Sequence, residues 1–175
     1  MPYAEANAFT VRRARTGDVP DVRRLVDPYV GEGILLDKAT VTLYEAIQEF
    51  WVAERDEDGL VVGCGALHVM WEDLAEVRTL AVDPAFKGHG IGRRVLEKLV
   101  ATARRLGVRR VFCLTFEVDF FSRHGFVEIG ETQTPVDTDV YAELLRSYDE
   151  GVAEFLGLER VKPNTLGNSR MLLHL

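Results

Sequence analysis

Gly88, Gly90 and Gly92 alternate with His89 and Ile91, with Lys87 before them and Arg93 and Arg94 directly after. Glycine at every second position lets successive amides converge on one concavity without a Cβ in the way. The run leads into an apolar-periodic stretch that reads as a helix, so its free N–H groups and positive dipole end face the same concavity. Arg93 and Arg94 in a first helical turn are unfavourable by about 0.3–1 kcal/mol each against that dipole. A bound polyanion would offset this cost. Residues 87–110 hold eight basic side chains and one acid, a net +7 in a chain of −7, so the rest carries −14. A short basic stripe in an acidic chain suits a discrete phosphorylated ligand and argues against a nucleic-acid track. The spacing is neither a P-loop, which needs Gly-x4-Gly-Lys-Ser/Thr, nor the Gly-x-Gly-x-x-Gly of a dinucleotide fold. No His, Cys or carboxylate spacing suggests a metal site.

The elements that must position this loop can be read from periodicity. Residues 74–82 form a strand before the turn Asp83-Pro84, and a helix from Gly90 to Leu106 buries Ile91, Val95, Leu99 and Ala103. Gly107 is its expected stop. Upstream, residues 9–14 read as a first strand, Asp18 as the N-cap of a helix reaching Tyr29, and Thr40 or Thr42 as the cap of a short helix. Residues 51–55 and 60–70 read as strands, with Gly63 and Gly65 marking a bulge or a close backbone approach. Downstream come an apolar strand at 108–114, parallel to the strand before the helix, a short helix at 117–124 and a strand at 126–129. After a loop at 132–138, a broken helical pattern precedes a closing strand at 170–175.

At 175 residues the chain is long enough for one domain with its own core. Cys64 and Cys113 lie in apolar strand patterns and read as buried thiols, suiting a reducing cytosol. No stretch is apolar enough to span a membrane, and the N-terminus does not read as a signal peptide. The expectation is a soluble cytoplasmic protein.

The segment Lys87-Gly88-His89-Gly90-Ile91-Gly92, after the strand Arg78-Thr79-Leu80-Ala81-Val82-Asp83-Pro84, resembles the pyrophosphate loop Arg/Gln-x-x-Gly-x-Gly/Ala of the GCN5-related N-acetyltransferases, with lysine at its first position. The element order β-α-α-β-β-β-α-β-α-β-α-β is that family's. The resemblance implies an α/β (α+β) fold with a mixed sheet of six to seven strands flanked by helices, and acetyl-CoA as co-substrate. Several segments (34–38, 50–54, 62–67, 74–78, 110–115 and 120–126) are similar to the acetyltransferase domain of N-acetylglutamate synthases. Two features depart from that pattern. The chain leaves no room for the amino-acid-kinase-like domain of many members, and its tail reads Asn168-Ser169-Arg170-Met171 in place of a cysteine-containing segment.

The resemblance implies acetyl transfer to the α-amine of glutamate or glutamine, the first step of arginine biosynthesis. The alternatives are another small amine or a peptide N-terminus, or an acetyl-CoA sensor without turnover. Leu80, Ala81 and Val82 would hold the pantetheine arm through main-chain groups, with Lys87, Gly88, His89, Gly90, Ile91, Gly92 and Arg93 around the phosphates and Phe120 and Phe121 beside the arm. An α-amine titrating near ~7.7–8.0 needs a base. Glu76 is the candidate, although on residue type alone it could equally be a strand carboxylate paired with Arg78. Phe121 stands where many members of the superfamily carry a thiol-protonating tyrosine, so Thr115 is nominated as donor or orienter. Lys38, Arg78 and Arg170 are candidates for the substrate carboxylate, and Ser169 and Asn168 for its side chain. His89 and His124 read as ligand contact and cap. Such folds often dimerise through a strand edge or a C-terminal helix.

Overall fold

The structure, a computed structural model, describes residues 8–130, 136–157 and 168–175. Seven strands form one sheet: β1 (Phe9–Arg13), β2 (Phe50–Arg55), β3 (Val61–Trp71), β4 (Leu74–Val82), β5 (Arg110–Thr115), β6 (Val127–Glu128) and β7 (Ser169–His174). Their order across the sheet is β1-β2-β3-β4-β5-β7-β6, and every pair is antiparallel except β4–β5. The helices are α1 (Val19–Gly31), α2 (Thr40–Glu45), α3 (Ile91–Leu106), α4 (Val118–Arg123), α5 (Thr138–Leu144) and α6 (Glu150–Phe155). The mixed, helix-flanked sheet is the expected one, and the broken pattern near the C-terminus resolves into the two short helices α5 and α6.

Alternation along the strands sorts side chains between two faces. Ala75, Val77, Val111 and Cys113 meet Val95, Leu96 and Leu99 of α3 and Phe121 of α4. On the opposite face, Val52, Val61, Cys64 and Ala66 pack against Val19, Val22 and Leu25 of α1 and Leu43 of α2. A separate apolar cluster at the far end of that second face joins Leu74, Phe112 and Leu172 to Leu144 of α5 and Phe155 of α6.

The close approach expected at Gly63 and Gly65 is present. A Cβ on Gly63 would stand 2.6 Å from Ile91 Cγ2, and one on Gly65 2.9 Å from Val95 Cγ1. Bare backbone on β3 lets α3 press onto the sheet. β3 also slips against β2 beside Gly63, where Val62 has no cross-strand partner, and a second bulge lies on β4: Cys64 faces Ala81 and Ala66 faces Arg78, so Thr79 and Leu80 together oppose Gly65. Thr79 takes φ +56°, the one non-glycine positive φ among the described residues and a strained value for a β-branched side chain.

Two cap expectations are corrected. Asp18 precedes α1, but its carboxylate caps nothing in that helix. It accepts two hydrogen bonds from the Arg12 guanidinium, at 2.8 and 2.9 Å, and one from the Arg15 amide at 2.7 Å. The Arg12 guanidinium, which also holds Glu54, is a stronger partner than a free helix amide. Neither Thr40 nor Thr42 caps α2, which begins at Thr40 behind Ala39 without a side-chain cap. Gly107 ends α3 in the left-handed conformation, φ +87°, as expected.

Candidate active site

β4 and β5 pair only at Leu74–Arg110, Ala75–Val111 and Glu76–Phe112. Beyond Glu76 the strands part, and no strand among the described residues takes up the β5-facing edge of Val77 to Val82. The opening is a cleft of about 550 Å³. Its walls include Leu80, Ala81 and Val82 from β4, Leu114 and Thr115 from β5, and Phe120 and Phe121 from α4. The bulge at Thr79 turns the Leu80 side chain toward α3, while Ala81 packs among the α1 residues.

At the mouth of the cleft, Lys87, Gly88, Gly90, Ile91, Gly92 and Arg93 form the glycine loop and the first turn of α3. Gly88 and Gly90 have φ +83° and +73°, which only glycine adopts freely. Gly90 is the N-cap, and no side chain caps the helix there, so the first-turn donors stay available to an anion. The fit to a pyrophosphate and an extended pantetheine arm rests on these features: an open strand edge, a concavity of glycine amides and an uncapped helix start. The Lys87 ammonium lies 5.4 Å over the Tyr29 ring, and Tyr29 donates its hydroxyl to the Val82 carbonyl at 2.7 Å. His89 is set apart from the rest of the loop. Its Nδ1 lies 2.9 Å from the Phe86 carbonyl and its ring meets Phe9 edge-on, and it is absent from the cleft walls.

A smaller polar pocket, about 50 Å³, adjoins the cleft and is lined by Lys38, Glu76, Arg78, Leu114, Gly151, Glu154 and Asn168. It occupies the gap between the two apolar clusters on that face. Glu76 is 5% exposed. Its Oε2 accepts from Arg78 Nη2 at 2.8 Å, while Oε1 accepts no hydrogen bond among the described residues. Arg78 is gripped from its other side by Asp149, with Nη1 and Nη2 each 2.8 Å from a carboxylate oxygen. Lys38 makes no ion pair among the described residues, and burial, reinforced by the nearby Arg78 charge, holds its ammonium below the ordinary lysine pKa. Thr115 Oγ1 accepts the Glu117 amide at 2.8 Å, which leaves its own hydroxyl proton free to be donated.

The tail residues separate. Asn168 reaches the small pocket, whereas Ser169 and Arg170 do not. Arg170 donates to the carbonyls of Phe155 and Gly130, and its guanidinium lies over the rings of Phe112 and Phe155. Arg170 pairs with Leu114 across the sheet, and its guanidinium is taken up by these contacts beneath α6. His124 Nδ1 lies 2.7 Å from the Phe120 carbonyl, consistent with a cap at the end of α4. Sequence reasoning did not single out Tyr29, Asp149 or Gly151. Asp149 and Gly151 sit in a stretch that reads locally as nothing more than a helix start. Burial pushes the Cys64 thiol up to about 12 and Cys113 upward as well, so neither is a nucleophile at neutral pH.

The acetyltransferase (GNAT) family matches residues 22–126. An amino-acid acetyltransferase of Mycobacterium tuberculosis is 64% identical over 164 residues, 93% of this chain and 92% of that protein. A protein from Mycobacterium tuberculosis, crystallised in complex with CoA and NLQ, is 63% identical with a TM-score of 0.90, over 95% of this chain and 99% of that one. An N-acetylglutamate synthase from Neisseria gonorrhoeae, solved with coenzyme A and N-acetyl-glutamate, is 25% identical with a TM-score of 0.75, matching 98% of this chain but 36% of that chain. A forked sheet, an uncapped glycine-loop helix and this degree of identity lead to one assignment: the chain belongs to the GNAT family of acetyltransferases, enzymes that take their acetyl group from acetyl-CoA.

Proposed function

We propose that this enzyme acetylates the α-amine of L-glutamate or L-glutamine, the entry reaction of arginine biosynthesis, as a single acetyltransferase domain in the cytoplasm. The observation that carries the reading is the Glu76 carboxylate, with one free oxygen, lining with Lys38 the small pocket that adjoins the cleft. The likeness to a named amino-acid acetyltransferase and to a synthase solved with N-acetyl-glutamate supports the substrate class. The buried reduced thiols suit a cytosolic enzyme.

Acetyl-CoA, when bound, supplies a thioester activated toward amines. The glycine loop and the α3 start bind its phosphates, and the main chain of Leu80 and Val82 holds the arm along the open edge of β4. Phe120 and Phe121 exclude water from one wall. Lys38 engages the substrate α-carboxylate, with Asn168 near its side chain. Glu76 Oε1 takes the ammonium proton, directly or through one water. With Phe121 unable to donate, the Thr115 hydroxyl supplies or orients the proton for the leaving sulfur.

The test is release of free CoA from acetyl-CoA across a panel of amino acids, polyamines and short peptides. Dominance of glutamate or glutamine is the expected result. Preference for a polyamine or a peptide N-terminus would overturn the substrate assignment, and would leave the family assignment standing.

A further inference from the structure

We propose that Asp149, from the segment leading into α6, is a positioning residue for the transfer: it holds Arg78 so that Glu76 keeps one oxygen free and remains an effective proton acceptor. The inference rests on the reading of Glu76 as the base.

Arg78 lies between two carboxylates. Its Nη2 bridges Glu76 Oε2 and Asp149 Oδ1, both at 2.8 Å, while Nη1 reaches Asp149 Oδ2 at 2.8 Å. Two of its N–H groups are thus directed at Asp149 and one at Glu76, while the buried Nε makes no hydrogen bond among the described residues. A guanidinium free to swing could fork onto both Glu76 oxygens, the geometry it prefers with a lone carboxylate. That arrangement would occupy the oxygen required for proton transfer. Asp149 also divides the cation's charge, so Glu76 is not burdened with all of it.

Asp149 is itself held in place. Its Oδ1 caps α6 through the Val152 amide at 3.0 Å, and its Oδ2 lies 3.8 Å from His68 Nε2. His68 Nδ1 in turn sits 2.6 Å from Glu49 Oε1. Although burial opposes it, the Arg78 guanidinium keeps the Asp149 carboxyl well below the usual carboxylate range, so it is ionised at every working pH. Gly151 completes the device. A Cβ there would collide with Arg78, standing 2.7 Å from Cζ and 2.8 Å from Glu76 Oε2. Bare backbone therefore closes directly over the ion pair and shields it from solvent. Both residues lie outside the 22–126 segment shared with the family at large.

The experiment is a cycle of E76Q, D149N and the double variant, with D149E as the conservative rescue. Asparagine is as good an N-cap as aspartate, so D149N retains the helix start while it removes the charge and replaces the oxygen facing Arg78 Nη1 with an amide NH2. In D149N, kcat is expected to fall about 10²-fold, as for misplacement of a reacting group by about 1 Å. The acetyl-CoA KM should stay unchanged, and D149E should recover part of the loss. The acid limb of kcat/KM should move to lower pH. The charged and titratable groups facing Glu76 are Lys38, Arg78, His68, Glu49, Asp149, Glu154 and the Cys113 thiol, and only Asp149 changes in this series. In the E76Q background, D149N should cost nothing further, because Asp149 acts through Glu76. If E76Q is inactive and D149N turns over normally, or if the two losses multiply, the positioning role is wrong. If E76Q itself turns over normally, the base assignment fails instead.

Discussion

Glu76 and Phe112 are the last residues to face each other across the parallel strands β4 and β5, and the sheet opens directly beyond them. The carboxylate thus stands at the apex of the fork, buried beside the paired strands and lining the small pocket that adjoins the cleft.

From this placement, E76Q is expected to lower kcat by about 10²–10⁴-fold, the usual worth of a positioned general base, while acetyl-CoA affinity is retained. The loss should be greatest at low pH, where little α-amine is neutral. Steady-state rates from pH 6 to 9, with acetyl-CoA binding measured by calorimetry, check both parts.

Thr115 is tested by shape. T115V keeps the volume but removes the hydroxyl and leaves the Glu117 amide without its partner. A fall in kcat of about tenfold or more is expected, with T115S close to wild type. Equal rates for T115V and wild type would remove Thr115 from the chemistry.

Lys38 makes a prediction with a definite sign. Burial and the Arg78 charge lower its pKa, so its cation is lost at a lower pH than that of an ordinary lysine. If it holds the substrate carboxylate, the amino-acid KM should rise on the alkaline side as that charge disappears. Arginine stays ionised there, so in K38R the alkaline rise should vanish, whatever the variant's absolute KM.

Gly63 tests how the loop is aimed. In G63A the new methyl would meet Ile91 Cγ2 at the first turn of α3. Overpacking of this kind costs about 1–3 kcal/mol. A drop in Tm and a raised acetyl-CoA KM are expected together, because the displaced turn carries the anion-binding amides.

Asp18 gives the fold an acid-sensitive tie. Its hydrogen bonds from Arg12 outweigh burial and keep its carboxyl below the ordinary range. A carboxyl lowered in the folded state stabilises above the unfolded pKa of about 3.9, and that contribution is lost as pH falls through the folded value. D18N should therefore be less stable than wild type at pH 7, and the gap should close toward pH 2. Urea unfolding at several pH values measures it.

Much of this was legible locally. The strand at 74–82, the long helix and its Gly107 stop follow from periodicity and from glycine's backbone freedom, which act between near neighbours. The glycine loop was legible for the same reason, since its chemistry lies in consecutive amides. His89 shows the limit: its spacing placed it in the loop, yet its ring found Phe9 and the Phe86 carbonyl from outside the cleft.

The substrate side was the harder part to read. Arg78 and Arg170 are both cations on strands near the site, and local sequence cannot distinguish them. Tertiary packing sends Arg170 beneath α6 among aromatic rings and carbonyls, and places Arg78 between Glu76 and Asp149. Asp149 lies 71 residues from Arg78. Side chains that distant are joined only when the sheet closes and α6 docks, since a buried charge must find its counter-charge wherever the fold brings one. The sequence by itself therefore determined the elements and the glycine loop, whose geometry is local. The tertiary structure alone decided which charges meet at the fork, because burial there makes their pairing obligatory.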